Sequence, residues 1–160
     1  AVMVEVGGGH GHIACAIARV TENLKVIVEE LPGTVETAVK EIPPELKSRV
    51  LCQAQDNFTE QKVKGADVYF FSKTFRDWSD EYCIQILRNL VPATKEGSRA
   101  VIYDESKVCA MLQKVCSFHY FRSFTDLTML CAHNGKERTK EEWKQLLKAA
   151  DERFGPVEFA

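Results

Sequence analysis

No run of the sequence is long and apolar enough to cross a bilayer, and its start carries no signal-peptide pattern. There is no basic stripe either: 21 lysines and arginines stand against 23 aspartates and glutamates, a net charge of −2. Neither nucleic acid nor membrane is therefore expected as a partner, and a cytoplasmic location is expected. Internal repeats and low-complexity tracts are missing. The six cysteines, at 15, 52, 83, 109, 116 and 131, form no C-x-x-C pair, and several lie in apolar runs. That favours buried free thiols in a reducing compartment over a metal site or disulfides. Two phosphate-binding signatures are lacking as well. The glycine cluster GGGHG is not the spaced GxGxxG of nicotinamide-binding proteins, and no Lys-Ser/Thr pair follows it.

What is present begins with Val2–His12, VMVEVGGGHGH, in which an apolar run gives way to Gly7, Gly8, Gly9 and Gly11. Such a pattern predicts a strand, a tight turn and a helix. Glycines let a ligand approach the backbone, and a helix start offers free N–H groups and partial positive charge. The combination suits a nucleotide or nucleoside cofactor at the carboxyl end of a parallel strand.

Helical spacing follows over Ile13–Thr21, with Ile13, Ile17 and Val20 on one face. Further strands are predicted at Leu24–Glu29, Arg49–Ala54, Ala66–Phe71 and Arg99–Tyr103, and a short last one at Val157–Phe159. Helices are predicted at Thr34–Ile42, at Trp78–Val91 with Ser79 as cap, over roughly Met111–Ala132, and from the capping box Thr139-Lys140-Glu141-Glu142 onward. Alternating strands and helices imply an α/β fold, a mostly parallel, doubly wound sheet with helices on both faces. At 160 residues one domain, 1–160, is the prior, and its abrupt start on a core-type strand suggests part of a longer architecture. The predicted strand ends gather Gly7–His12, Glu30, Asp56-Asn57, Ser72–Trp78 and Asp104-Glu105, a polar, acid-rich set where ligands of such sheets bind. Glu30, about 20 positions past the glycines, is placed to accept from a ribose, and Asp56 from an adenine amine.

In order along the chain, VEVGGGHGH, VEELPGTVE, FRDWSDEYC, AVIYDE and NGKERTKEEW resemble the motif series of plant and fungal small-molecule O-methyltransferases of the caffeate O-methyltransferase type. The resemblance implies a Rossmann-like class I methyltransferase fold, S-adenosylmethionine as cofactor, and a phenolic or polyketide hydroxyl of secondary metabolism as acceptor. Gly7, Gly8 and Gly9 match the glycines around the cofactor's methionine part. Glu30 matches its ribose acid, Asp56 and Asn57 its adenine contacts, and Ser72 a cofactor-side position that is often basic. Asp77 and Asn134 match substrate-side residues, and Glu105 and Glu137 the acids that flank the catalytic base. No metal is implied.

The departure is Arg76, which stands in Arg76-Asp77-Trp78 where the family has its general-base histidine. A phenol has a pKa near 10, and imidazole can take its proton. Arginine stays protonated and has no lone pair to offer. Three readings stay open. A fixed cation can favour an acidic acceptor. The pocket can use S-adenosylmethionine for non-methyl chemistry such as cyclisation or decarboxylation. The chain can be a catalytically dead interaction subunit. Among other candidate bases, His133 precedes Glu137 closely, whereas His10 and His12 lie at the cofactor turn. The family's N-terminal helical dimerisation domain and its last strand have no counterpart in the sequence, so a homodimer or a partner chain is expected to complete the fold.

Overall fold

The computed structural model describes residues 1–104 and 128–159. It divides into two compact units, Ala1–Ser72 with Asn89–Tyr103, and Lys73–Arg88 with Asp104–Ala160.

The first unit is built on a five-stranded sheet in the order β3-β2-β1-β4-β5. The strands are β1 Val2–Val6, β2 Lys25–Glu30, β3 Val50–Ala54, β4 Val68–Ser72 and β5 Arg99–Tyr103. Every pairing is parallel: Met3 stands opposite Val26 on one side and Val68 on the other. The chain steps outward from β1 to β3 and then returns to place β4 on β1's other side. The order therefore reverses at β1, whose carboxyl end carries the glycine turn, and this is where open α/β sheets bind ligands.

One face of the sheet is sealed by α1, His12–Val20, and α2, Pro32–Glu41. Met3, Val26, Val28 and Val50 pack there against Ala14, Cys15, Ala18, Ile42 and Leu46. The buried side of α1 is thus its small residues, whereas Ile13 and Val20 of the predicted apolar face are exposed. Alanines let the helix lie close on the strands, and a row of larger side chains would hold it off. On the opposite face, Tyr69 sends its hydroxyl to the carbonyls of Val63 and Ala93.

Several boundaries depart from the sequence reading. α2 begins at Pro32 rather than Thr34, because proline at a first helical position loses no hydrogen bond. The long helix, α3, spans Asp80–Leu90 and tightens into a 3-10 turn at Val91–Ala93 around Pro92. Ser79 accepts the first helical N–H, from Cys83, through its carbonyl. Residues 157–159 form no strand; Phe159 lies instead against the ammonium groups of Lys140 and Lys144. The predicted Met111–Ala132 helix falls largely outside the described residues, though 128–133 are helical.

In the second unit, α4, Lys140–Ala150, opens with the expected capping box. Glu142 N–H donates to Thr139 Oγ1, and Thr139 N–H donates to Glu142 Oε2. Its inward side carries Trp143, Leu146, Leu147 and Ala150, as its spacing predicts. Cys15, Cys52, Cys83 and Cys131 are free thiols. Among the described residues no helix is long and apolar enough to cross a membrane.

Candidate functional site

The cradle in the first unit is a left-handed glycine turn. Gly7, Gly9 and Gly11 have φ of 70°, 56° and 75°, values that side chains disfavour. Gly8 is required for a different reason. A Cβ there would lie 2.8 Å from both Glu5 Cγ and Val28 Cγ1, so the turn rests directly on the sheet. Above Gly9 none of the described residues lies within 4 Å of where a Cβ would be, which leaves that backbone open to a ligand.

Two consecutive acids at the end of β2 organise this turn. The Glu29 carbonyl accepts N–H groups from Gly7 at 2.9 Å and Gly8 at 3.0 Å. Glu30 Oε2 accepts from Gly9 N–H at 3.2 Å, and its Oε1 from Leu31 N–H at 2.8 Å. A carboxylate offers about four acceptor positions, so Glu30 retains capacity for hydroxyl donors such as a ribose diol. The third strand tip joins the same region, because Gln55 N–H donates to the Glu30 carbonyl at 3.0 Å. Asp56 is exposed, its Oδ1 accepting from Phe58 N–H. The Asn57 carbonyl is held by Asn89 Nδ2 at 3.3 Å. Ser72 ends β4 within this unit.

Beneath the cradle lie two acids that the sequence reading passed over. Glu5 is 1% exposed, and its Oε2 accepts from Ala14 N–H, a free amide of the first turn of α1. Glu29 is wholly buried, with Gln61 Nε2 donating to its Oε2 at 2.6 Å. Burial raises both carboxyls to about 7, so each is largely a neutral acid below that pH. The interruption of the apolar β1 run by Glu5 was the one visible sign.

The second unit gathers the Arg76 motif. Arg76 and Asp77 sit on a 3-10 turn, Phe75–Asp77. Arg76 N–H donates to Asp104 Oδ2 at 3.2 Å, and Arg76 Nε donates to Met129 Sδ at 3.2 Å. Asp104 is lifted to about 6 by burial, against the pull of the Arg76 and Arg138 cations. Gly135 presses on the turn so closely that a Cβ would fall on the Arg76 carbonyl. Asn134, at φ 54°, turns the chain out of the helical residues 128–133 and is exposed, as is His133; Glu137 is buried. Arg76, Asp77, Asn134 and Glu137 therefore share this unit, while Glu105 lies outside the described residues.

Arg138, unremarked in the sequence, holds the turn. It is 1% exposed and donates to the carbonyls of Phe75 at 2.9 Å and Trp78 at 2.8 Å, to Asp80 Oδ1 at 2.8 Å and to Cys83 Sγ at 3.2 Å. Its guanidinium also lies over the Trp143 ring at 5.3 Å. The Cys83 thiol is pushed up to about 12 by burial, so it remains a neutral thiol and carries no nucleophilic role. Among the described residues no group of His, Cys, Asp and Glu could hold a metal ion.

Comparison with known proteins gives this geometry a context. Residues 1–152 match the O-methyltransferase domain family. An O-methyltransferase of Alternaria alternata, AMT9, is 38% identical over 96% of this chain and 36% of its own length. A chlorophenol O-methyltransferase of Trichoderma longibrachiatum is 39% identical over 94% of this chain and 32% of its own. The chain thus spans about a third of the length of the curated relatives it matches. Among solved structures, LepI in complex with SAM is 31% identical with a TM-score of 0.82, covering 94% of this chain and 37% of that one. A structure described as a pericyclic reaction enzyme has the same identity, coverage and score.

Proposed function

The chain belongs to the O-methyltransferase domain family, and from that premise we propose that it is the S-adenosylmethionine-binding part of an enzyme that methylates an acidic phenolic or polyketide hydroxyl in secondary metabolism. The observation that carries this reading is the Glu30 carboxylate on the Gly9 amide, beside backbone left open for a ligand. The residues fit the cofactor. Glu30 holds the ribose hydroxyls, the Gly7–Gly9 backbone lies along the methionine part, and Asp56 with Asn57 borders the adenine. S-adenosylmethionine supplies an electrophilic methyl group when bound.

Arg76 replaces the family's base by a fixed cation. A guanidinium cannot accept the acceptor's proton, but it stabilises an oxygen that has already lost it. The hydrogen bond from Nε to Met129 Sδ ties that charge to the helical residues 128–133. An acceptor already acidic in water then needs no base, which separates this protein's substrates from ordinary phenols. The chlorophenol-methylating relative supports an acceptor of that kind.

A second reading is supported by the same arginine together with the likeness to a pericyclic reaction enzyme. Here S-adenosylmethionine is bound but its methyl group stays, and Arg76 polarises a carbonyl or enolate of the substrate.

Calorimetric titration with S-adenosylmethionine, followed by methyl-transfer assays on phenols of graded acidity, tests both. The first reading expects a saturable isotherm and turnover confined to the more acidic phenols, with Arg76→His extending it to ordinary ones. Binding without transfer to any phenol, before or after Arg76→His, points to the second. No binding at all leaves an interaction subunit.

A further inference from the structure

From the hydrogen-bond geometry around β2 we infer that Glu29 is a positioning residue that couples the two halves of the cofactor cradle, tying the glycine turn to the adenine-side loop through Gln61. The inference rests on the proposed cofactor reading. Glu29 reaches both halves at once. Its carbonyl takes the N–H groups of Gly7 and Gly8. Its side chain, on the other side of the same residue, takes Gln61 Nε2 at 2.6 Å in a fully buried setting. Gln61 passes the constraint on in two directions. Its Oε1 accepts Val63 N–H at 2.9 Å, and its own N–H donates to the Asn89 carbonyl at 3.1 Å. Asn89 Nδ2 then holds the Asn57 carbonyl at 3.3 Å. A displacement of the loop at 57 is therefore transmitted to the turn at 7–8 through a chain of hydrogen bonds whose central link, Glu29 to Gln61, is buried.

A carboxyl is an expensive choice for such a joint. Glu29 Oε1 is buried without a partner among the described residues, so an ionised side chain would leave charge unsatisfied in the core. The groups that face it are Gln61 and Lys62 from the loop after β3 and Tyr69 from β4; the Gln61 hydrogen bond and then the Lys62 charge draw its pKa down, and the Tyr69 phenol is pushed up by burial first and by the Glu29 charge second. Burial outweighs Lys62, and near neutrality a large share of Glu29 is the neutral acid. That form has the shape and polarity of glutamine, so glutamine should perform the same task.

The test uses the intact protein with S-adenosylmethionine as probe, comparing Glu29→Ala, Gln61→Ala, their double variant and Glu29→Gln by calorimetry. Each alanine variant is expected to weaken binding about tenfold, equivalent to one buried hydrogen bond. The double variant is expected to bind no more weakly than the singles, and Glu29→Gln to stay within about twofold of the parent. Additive losses, or a Glu29→Gln loss equal to that of alanine, overturn the coupling. Amide hydrogen exchange on the ligand-free protein gives a readout independent of the cofactor. Gln61→Ala, or Asn89→Ala if the former does not fold, should speed exchange at the Gly7 and Gly8 amides, which neither side chain touches. Unchanged rates there overturn the inference. Faster rates in a protein that binds no S-adenosylmethionine uphold the coupling and remove the cofactor reading instead.

Discussion

Glu5 fills the space where Gly8 would carry a side chain: a Cβ on Gly8 would stand 2.8 Å from Glu5 Cγ and 2.9 Å from Glu5 Cδ. The turn over the cradle and the buried acid under it are therefore one packed unit. Gly8→Ala must displace either the turn or the Glu5–Ala14 bond, at a cost of roughly 1–3 kcal/mol for overpacking. The expected result is a lower melting temperature and lost S-adenosylmethionine binding. Gly9→Ala meets no neighbour among the described residues, and its strain comes from a left-handed φ, about 1 kcal/mol. Melting curves of the two variants should rank them in that order.

Stability should fall as pH rises from about 4.5 to about 7. Glu5 and Glu29 hold their protons in the folded protein up to about 7, whereas the unfolded chain releases them near 4.5. Over that window the native state binds more protons than the unfolded one, which is the condition for stability to decrease with pH. Each group accounts for a change on the order of 3 kcal/mol, complete once pH exceeds the folded value. Urea unfolding at pH 5 and pH 8 should show the decline, and Glu5→Gln with Glu29→Gln should remove most of it. A flat profile in the parent protein would refute the assignment.

Arg138 should tolerate no replacement that keeps only its charge. Its five bonding partners, the carbonyls of Phe75, Trp78 and Lys136, Asp80 Oδ1 and Cys83 Sγ, are spread around a planar guanidinium, and a lysine ammonium reaches them from a single point. Arg138→Lys gives up the guanidinium's bonds to the Phe75 and Trp78 carbonyls and to Cys83, and a loss of about 1.5–3 kcal/mol is expected for hydrogen bonds made by a charged group. Chemical denaturation measures it directly.

Gly135→Ala should disturb the Arg76 turn. Its Cβ would collide with backbone atoms of Arg76 and Asp77, which cannot swing aside as a side chain could. The outcome expected is a lower melting temperature and impaired turnover. Calorimetry and a transfer assay on the same preparation separate the two effects.

Much of this was written in local sequence. β5, Arg99–Tyr103, and the Thr139–Glu142 cap were predicted to the residue, because a β-branched run and a capping box are signals complete within a few positions. The parallel, doubly wound sheet followed from the alternation of elements, and the collinear motifs pointed to the family. Glycine spacing and the acid at 30 marked the cradle because backbone conformation and hydrogen-bonding capacity belong to single residues.

Other features depend on what meets what. The expected strand at 157–159 has the right alternation but no pairing partner among the described residues, and an unpaired strand gains nothing from its pattern. On α1 the face shared by Ile13, Ile17 and Val20 is buried only in part, at Ile17, while the neighbouring Ala14 and Ala18 are fully buried, because close contact with a sheet selects for size. Arg138 and Glu29 read as ordinary surface charges until tertiary contacts bury them, since burial is a property of the neighbours and not of the residue. Sequence alone determined which groups the chain can offer: a glycine turn, an acid at 30 and a cation at 76. Only the tertiary structure decided which charges are withdrawn from water, and desolvation, which no linear pattern encodes, is what turns Glu5, Glu29 and Arg138 into supports for that chemistry.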